Sequence, residues 1–538
     1  MKHAVLLTAL SLLLVTTAGL ALASPAKLSL VKNRPASKAM AASVARPMNE
    51  DQKVVQVLNR MTMGAAPGDF ERVKGMGVKA YIASQLNPQS ITENQAVVEQ
   101  VESAAIIHGK SADLIKQFRL LAAQNKAKLK AAGEQANPAE KMENAAAAKE
   151  EADRRQKHIK TVADQLFKTR MVRALDSERQ LQEVMVDFWY NHFNISINKG
   201  IDHVLIGAYE EQAIRPNALG RFRDILGATC YHPAMLFYLD NWQNTAAGTP
   251  LPGMQLKGAA KGQKKKGGLN ENYARELMEL HTLGVDGGYT QNDVIELARV
   301  LTGLSLPLKG YWGQFYPGRH DNGSKTIVGH KIAASGAGEI EEALDLLARH
   351  PSTAHHIGFA LAQYFVADQP PAALVDRLAK RFSETDGDIK AVLTTLFESN
   401  EFFDGQYQNN KYKSPYRYTV SALRASGARP KHYEPIYAFM KTQGQPLYGC
   451  LTPDGYKNTK AAWLNSDALL KRINFATTIG SPVAKGPAMM EQNSQSYEQV
   501  LRTVNGGQLS SRTNDVIAKS GGPFKTALLL GSPEFMSY

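Results

Sequence analysis

Apolar positions in this chain recur mostly three and four residues apart rather than at every second residue, a periodicity that predicts a mainly α protein. Val54, Val57, Leu58 and Met61 fall at i, i+3, i+4 and i+7. The run Gly64-Ala65-Ala66-Pro67-Gly68-Asp69 then ends that helix and starts another, so a helical hairpin is expected over 54–85. From about Val101 to Thr169, Ala, Lys, Glu and Gln dominate, with Pro138 the one interruption. This composition predicts two long helices with solvated charged faces. Heptads are not sustained, so this arm is expected to pack on its own body rather than in a coiled coil. Leu181, Val184, Met185, Phe188, Trp189 and His192 share one stripe of the next helix, which puts His192 at or near the core. A core histidine bonded to a backbone carbonyl and a ligand or catalytic histidine both fit that position. Asp187 and Asn191, i and i+4 on the neighbouring face, read as a surface hydrogen-bonded pair.

The helical pattern breaks at Asn244–Leu269, where Gly and Pro accompany Lys257, Lys261, Lys264, Lys265 and Lys266. This reads as an exposed flexible basic loop, a solvated segment or a weak contact for phosphate or acidic glycan through Lys264, Lys265 and Lys266. Asn270 to Gly284 follows as a helix with Asn270 as N-cap and Gly284 just past its end. On it Asn272, Arg275, Glu276 and Glu279 form one polar ridge, with His281 on a different face. Glu276 and Glu279 one turn apart can divide acid and base roles, with Arg275 holding one ionised, or can be ordinary salt-bridged carboxylates. No HExxH spacing is present, so the sequence leaves any metal or other cofactor unassigned. Thr290-Gln291-Asn292-Asp293 has the form of a capping box. Tyr311–Ile332 is turn-rich with a small β-hairpin expected, and its His320-Asp321 pair is either turn chemistry or part of a site completed by folding. The expected architecture is a large multi-helix body with a long charged arm and a small turn-rich or β-hairpin segment.

The N-terminus changes the setting. Lys2 and His3 precede an apolar run from Ala4 to Leu22, and Ala21-Leu22-Ala23 supplies a small-x-small cleavage pattern. Residues 1–23 read as a signal peptide and 24–48 as a loose lead-in. The mature protein is therefore expected in the periplasm or outside the cell, by general secretion, with no membrane span after cleavage. The net charge of +13 implies attraction to anionic envelope polymer. Nucleic acid is excluded by the export reading and the lack of a matching motif. Cys230 and Cys450 are the only cysteines; an oxidising compartment permits one bridge, but sequence does not fix their separation.

Asn270 to Gly303, NENYARELMELHTLGVDGGYTQNDVIELARVLTG, closely resembles the signature of the bacterial family called domain of unknown function 1800. Further stretches fit the same family in order: Val57–Phe70, FWYNHF at Phe188–Phe193, Arg215–Leu226, His232–Asn241, HDNGSKT at His320–Thr326, KSPYRYTVSALRASG at Lys413–Gly427, TPDGY at Thr452–Tyr456 and Leu529–Phe535. The resemblance implies a single family domain over 49–538. The segment 101–169 would be a helical insertion and 244–269 an added loop. It also implies an exported protein, often encoded beside another exported family with an alkaline-phosphatase-like fold, and it supplies no activity. Its motifs bring in Asp240, Asn270, Glu271 and Lys325 beside the residues named above.

Two functions stay open at this point. One is an exported hydrolase or lyase acting on an envelope or extracellular glycan, with Glu276 and Glu279 as acid/base candidates and His192, His281, Arg275 or Asp240 assisting. The other is a non-catalytic helical scaffold for an exported partner or surface polymer. A water-accessible cleft holding groups of perturbed ionisation would favour the first.

Overall fold

A computed structural model describes residues 46–120, 138–255, 264–480, 490–491 and 495–538. The expected signal peptide, nearly all of the expected lead-in, Lys257 and Lys261 lie outside the described residues. The fold is mainly α, 63% helix and 5% strand, and Ala45–Tyr538 is one compact unit. The expected hairpin opens it, as Glu50–Met61 and Asp69–Met76. The first of these helices buries Val54, Val57, Leu58 and Met61, the four positions of the apolar stripe. Gly64 between them has φ +121, and a Cβ there would meet the Ser421 Cβ at 2.5 Å. Only glycine lets this turn close on the Pro415–Ser426 helix.

Pro138 opens a helix of 39 residues that runs to Asp176, where its first-turn position needs no N–H. The C-terminal part of that helix buries Val162, Leu166, Phe167 and Met171 against the body. The next helix, Gln180–His192, carries Trp189, fully buried and packed on Phe193 and Phe222 with ring centroids 5.8 Å away in each case. Around it lie Asp202–Tyr209, Pro351–Phe365 and Pro415–Ser426. Among the described residues two segments adopt i→i+5 bonding, Glu210–Ile214 and Leu277–Thr282. The second replaces the latter half of the single α-helix expected over 270–284. The α part is Asn272–Glu276, and the Asn270 side chain caps Asn272 N–H at 3.0 Å.

Strands among the described residues are short antiparallel pairs. The basic tract contains one of them, Pro250–Gln255 with Lys264–Lys266. The hairpin expected within Tyr311–Ile332 is Lys325–Ile327 paired with His330–Ile332. Its turn residues, Val328 and Gly329, both have positive φ, +48 and +76, as a type I′ turn requires. The Thr290/Asp293 capping box forms as read, and Asp293 also accepts the Val328 N–H at 2.7 Å. Cys230 and Cys450 are both free and buried. No helix of the described residues is long and apolar enough to cross a membrane.

Candidate functional site

A cleft of about 310 Å³ opens beside the Gln180–His192 helix. Its walls include Phe188, Tyr190, Phe359, Tyr416, Tyr448 and Tyr456, and its polar groups come from Asp187, His192, Tyr364, Arg417 and Asp454. His192 reaches it from the last turn of the helix. Leu280 and His281, at the end of the i→i+5 segment, have carbonyls without an intrahelical donor. The imidazoles of His356 and His192 supply those donors, Nε2 to oxygen, at 3.2 and 3.1 Å. A carbonyl only accepts, so Nε2 of His192 carries the proton and Nδ1 presents its lone pair. Burial, then the neighbouring His356 and His281, hold His192 well below the usual imidazole range, so it stays neutral. The core-histidine reading and the cleft position thus coexist in one side chain.

Asp187 lies on the same helix, half-buried. It does not bond Asn191, as the surface-pair reading expected, because both side chains are claimed by distant partners. Asp187 Oδ1 accepts from Arg170 at 2.8 Å and Oδ2 accepts from the Tyr364 hydroxyl at 3.3 Å. Burial pushes the Asp187 carboxyl up despite the opposing charges of Arg170 and Arg417. Arg170 also pairs with Glu210, itself bonded by the Tyr448 hydroxyl at 2.8 Å. Burial alone would raise Glu210, but Arg170 and Arg215 hold it at about 2. Arg417 donates to the backbone carbonyls of Asn59, Arg60 and Thr62 at 2.6, 3.1 and 2.6 Å and reaches the Tyr364 oxygen at 3.5 Å.

Asn191 pins the opposite lip. Its amide donates to the Tyr456 carbonyl at 2.9 Å and its oxygen accepts the Tyr456 N–H at 2.7 Å. Gly455, at φ +65, packs directly on the Asn191 carbonyl, where any Cβ would collide. This clamp holds Asp454 at the cleft. Burial would raise that carboxyl, but Lys457, bonded at 2.6 Å, and Thr452 hold it below the usual range.

Of the residues expected at a site, His192 lines the cleft. His281 stands beside it, ring centroids 6.2 Å apart, but is buried, its Nε2 without a partner and its ionisation pushed down to about 3 by burial and His356. Glu276 and Glu279 are half-buried neighbours outside the lining. Burial, Glu279 and Asp454 raise Glu276, while Glu279 accepts from Tyr289 at 3.3 Å. Arg275 pairs with Glu271 at 3.1 Å, and Asp240 with Lys199 at 3.1 Å. His320 is enclosed, bonding Glu339 at 3.1 Å and the Thr302 carbonyl at 2.9 Å, and Lys325 joins the same Glu339. Asp321 pairs with Arg299 at 2.9 Å. Lys264, Lys265 and Lys266 form the short strand of the basic tract. Sequence reasoning missed Asp187, Tyr364, Arg417 and Asp454 as cleft residues. The available signal for Asp187, Arg417 and Asp454 was their position in or beside the FWYNHF, KSPYRY and TPDGY motifs; Tyr364 lies in none of them. No group of three or more His, Cys, Asp or Glu among the described residues is placed to hold a metal ion.

A family model described as "Protein of unknown function (DUF1800)" matches residues 56–537. No curated protein and no solved structure matches the chain.

Proposed function

The chain belongs to the DUF1800 family, and from that premise we propose that it is an exported enzyme that cleaves an envelope or extracellular glycan in the cleft beside the Gln180–His192 helix. The observation that carries this reading is a proton donor and a proton acceptor on one aromatic-walled cleft. The donor is the Asp187 carboxyl, which burial pushes up and whose Oδ2 meets the Tyr364 hydroxyl at 3.3 Å. The acceptor is Nδ1 of His192, kept unprotonated because burial lowers the imidazole and Nε2 is committed to a carbonyl. Opposite shifts on an acid and a base in one cavity suit acid–base catalysis at neutral pH. Flat aromatic walls suit sugar rings, which offer apolar faces and polar edges. A scaffold accounts for the enclosed pairs at Glu339 and Glu210 but gives no reason for this cavity.

Export and the activity are tested separately. Exported protein is expected to begin at Ser24, by mass spectrometry of the mature form; an intact Met1 on exported material would defeat the signal-peptide reading. Purified protein is expected to release new chain ends from a panel of acidic and neutral envelope polysaccharides. Asp187→Asn is expected to lower that rate about 100-fold. Release of no ends from any polymer, with binding retained, would replace the enzyme with the scaffold.

A further inference from the structure

We propose that the protein holds an acidic polysaccharide on a second surface, none of whose residues lines the cleft. The surface is the loop 306–313, which joins the paired strands Leu304–Ser305 and Gln314–Phe315, together with the cations around it. Tyr311 and Trp312 stand side by side in this loop, 38% and 41% exposed, and are the exposed tyrosine and tryptophan among the described residues. Single exposed apolar side chains need no explanation, but two adjacent aromatic rings on a fixed loop do. The loop is fixed at several points. The Gly310 carbonyl accepts the Ala112 N–H at 3.0 Å, and the Gly313 N–H bonds the Tyr231 carbonyl at 2.6 Å. A Cβ at Gly313 would meet the Leu236 Cδ1 at 2.5 Å, so only glycine lets the loop close on the body there. Trp312 meets the His232 ring at a right angle, 5.9 Å between centroids. The Tyr316 hydroxyl ties the base of the loop, donating to the Leu306 carbonyl at 2.9 Å.

Charge identifies the ligand as an anion. The Arg319 guanidinium lies 4.4 Å over the Tyr316 ring, a stacking that occupies its face and leaves its N–H edges for an acceptor. Burial raises the Tyr316 phenol, and the charges of Arg319 and then Arg119 oppose that rise, so both guanidinium groups stand near one ring. Lys309 is exposed in the loop itself. Among the described residues, Lys309, Arg319 and Arg119 have no carboxylate within ion-pair distance, and the Tyr311 hydroxyl and Trp312 indole N–H have no protein acceptor. Residues 300–320 contain no Asp or Glu, and Asp113 is the one acidic residue in 108–120. The Ala246 N–H bonds the Arg319 carbonyl at 2.8 Å and Pro250 pairs with Lys266, so the backbone of the basic tract leaves the body beside Arg319. Cations of one sign, with no internal partner, recruit a polyanion.

An acidic polysaccharide matches both halves of this surface. Its sugar rings offer C–H faces to flat aromatic rings, and its planar carboxylates match guanidinium edges. An anionic membrane also takes cations and aromatic rings, but its hold grows with buried apolar area, and one weak anchor gives only marginal binding. Leu308, 72% exposed, is the one strongly exposed aliphatic side chain of the loop. Rings held by hydrogen bonds and by His232 suit a ligand with fixed faces better than a fluid one. Holding polymer here needs no cleavage, so the surface and the cleft are read by separate measurements.

The test measures binding of the full chain to immobilised polygalacturonate and to the same polymer after carboxyl reduction. Binding to the first and not to the second is expected, weakening as salt rises from about 0.05 M to about 0.5 M. Trp312→Ala and Arg319→Gln are each expected to weaken it about tenfold with the melting temperature little changed. Trp312→Ala leaves the charge as it is, so its loss separates a built site from the general attraction of a chain with net charge +13. Should Trp312→Ala fail to fold, Tyr311→Ala makes the same comparison at the neighbouring exposed ring. Asp187→Asn, a cleft variant, is expected to bind as the wild type does, and release of chain ends is scored apart, so failure of the cleft leaves this result standing. Equal binding to the carboxyl-reduced polymer would overturn the anion. Binding that survives Trp312→Ala, Tyr311→Ala and Arg319→Gln undiminished would overturn the surface, and no binding to polygalacturonate would overturn the proposal. Sedimentation with vesicles of phosphatidylcholine and phosphatidylglycerol, lost in Trp312→Ala and without binding to the polymer, would put a membrane in place of the polysaccharide.

Discussion

His232 shows how far a side chain's ionisation can be set by where its two nitrogens go. Nδ1 accepts the Ala234 N–H and caps the Pro233–Tyr238 helix, while Nε2 is buried without a partner. Burial lowers this imidazole to about 3. Below the unfolded value near 6.5 the unfolded chain binds the proton and the folded chain refuses it. This stability is therefore fully present above pH ~6.5 and falls as pH drops toward about 3. At pH 5 the loss is about 2 kcal/mol for one such histidine. His232→Asn keeps a capping oxygen and removes the titration. The drop in melting temperature from pH 7.5 to pH 5 is expected to be smaller in that variant, whatever its absolute stability, and an unchanged drop would show the imidazole charged in the fold. Glu276 is the opposite case, half-exposed and repelled by Glu279. Glu276→Gln is expected to change stability by less than about 0.5 kcal/mol and to leave glycan cleavage at the wild-type rate, because its side chain stands outside the cleft lining. A severalfold loss of activity would return Glu276 to the site. At this scale the sequence placed His192 at or near the core, since an apolar stripe is a local signal. It did not show Asp187, whose partners lie 17 and 177 residues away.

Elements divide the same way between local and distant causes. The Thr290/Asp293 capping box was legible because both of its bonds span three residues. Asp293 then does what no local pattern announces, holding the N–H of Val328, a β-branched residue at φ +48. Asp293→Ala is expected to cost about 1–2 kcal/mol, a lost cap plus a loosened hairpin turn, read as a fall in melting temperature. A change near zero would mean that solvent replaces both bonds. The i→i+5 segment Leu277–Thr282 was not legible, since its residues are compatible with an ordinary helix. Its terminal carbonyls are satisfied by imidazoles 76 and 89 residues away, beyond any helical periodicity. Gly455 belongs to this scale too. Gly455→Ala forces a side chain into φ +65 and into the Asn191 carbonyl, at about 1–2 kcal/mol for the backbone alone. It is expected to lower both melting temperature and cleavage rate by unseating the loop that carries Asp454. Retained activity would show that the clamp is not needed.

Across the whole molecule, the helical class and nearly the full extent of the family domain were legible from periodicity and motif order, whereas the cleft was not. Its parts come from distant regions of the chain, and the contacts that make it a cavity join residues hundreds of positions apart. The Arg417 bonds to Asn59, Arg60 and Thr62 span 358, 357 and 355 residues. Those bonds also set an order of events. A chain delivered from its N-terminus cannot close its first helix onto the Pro415–Ser426 helix until some four-fifths of its residues have emerged. Long-range closure of this kind makes folding slow, and slow folding leaves apolar faces uncovered for longer, so the unfinished chain is open to aggregation until its last fifth is made.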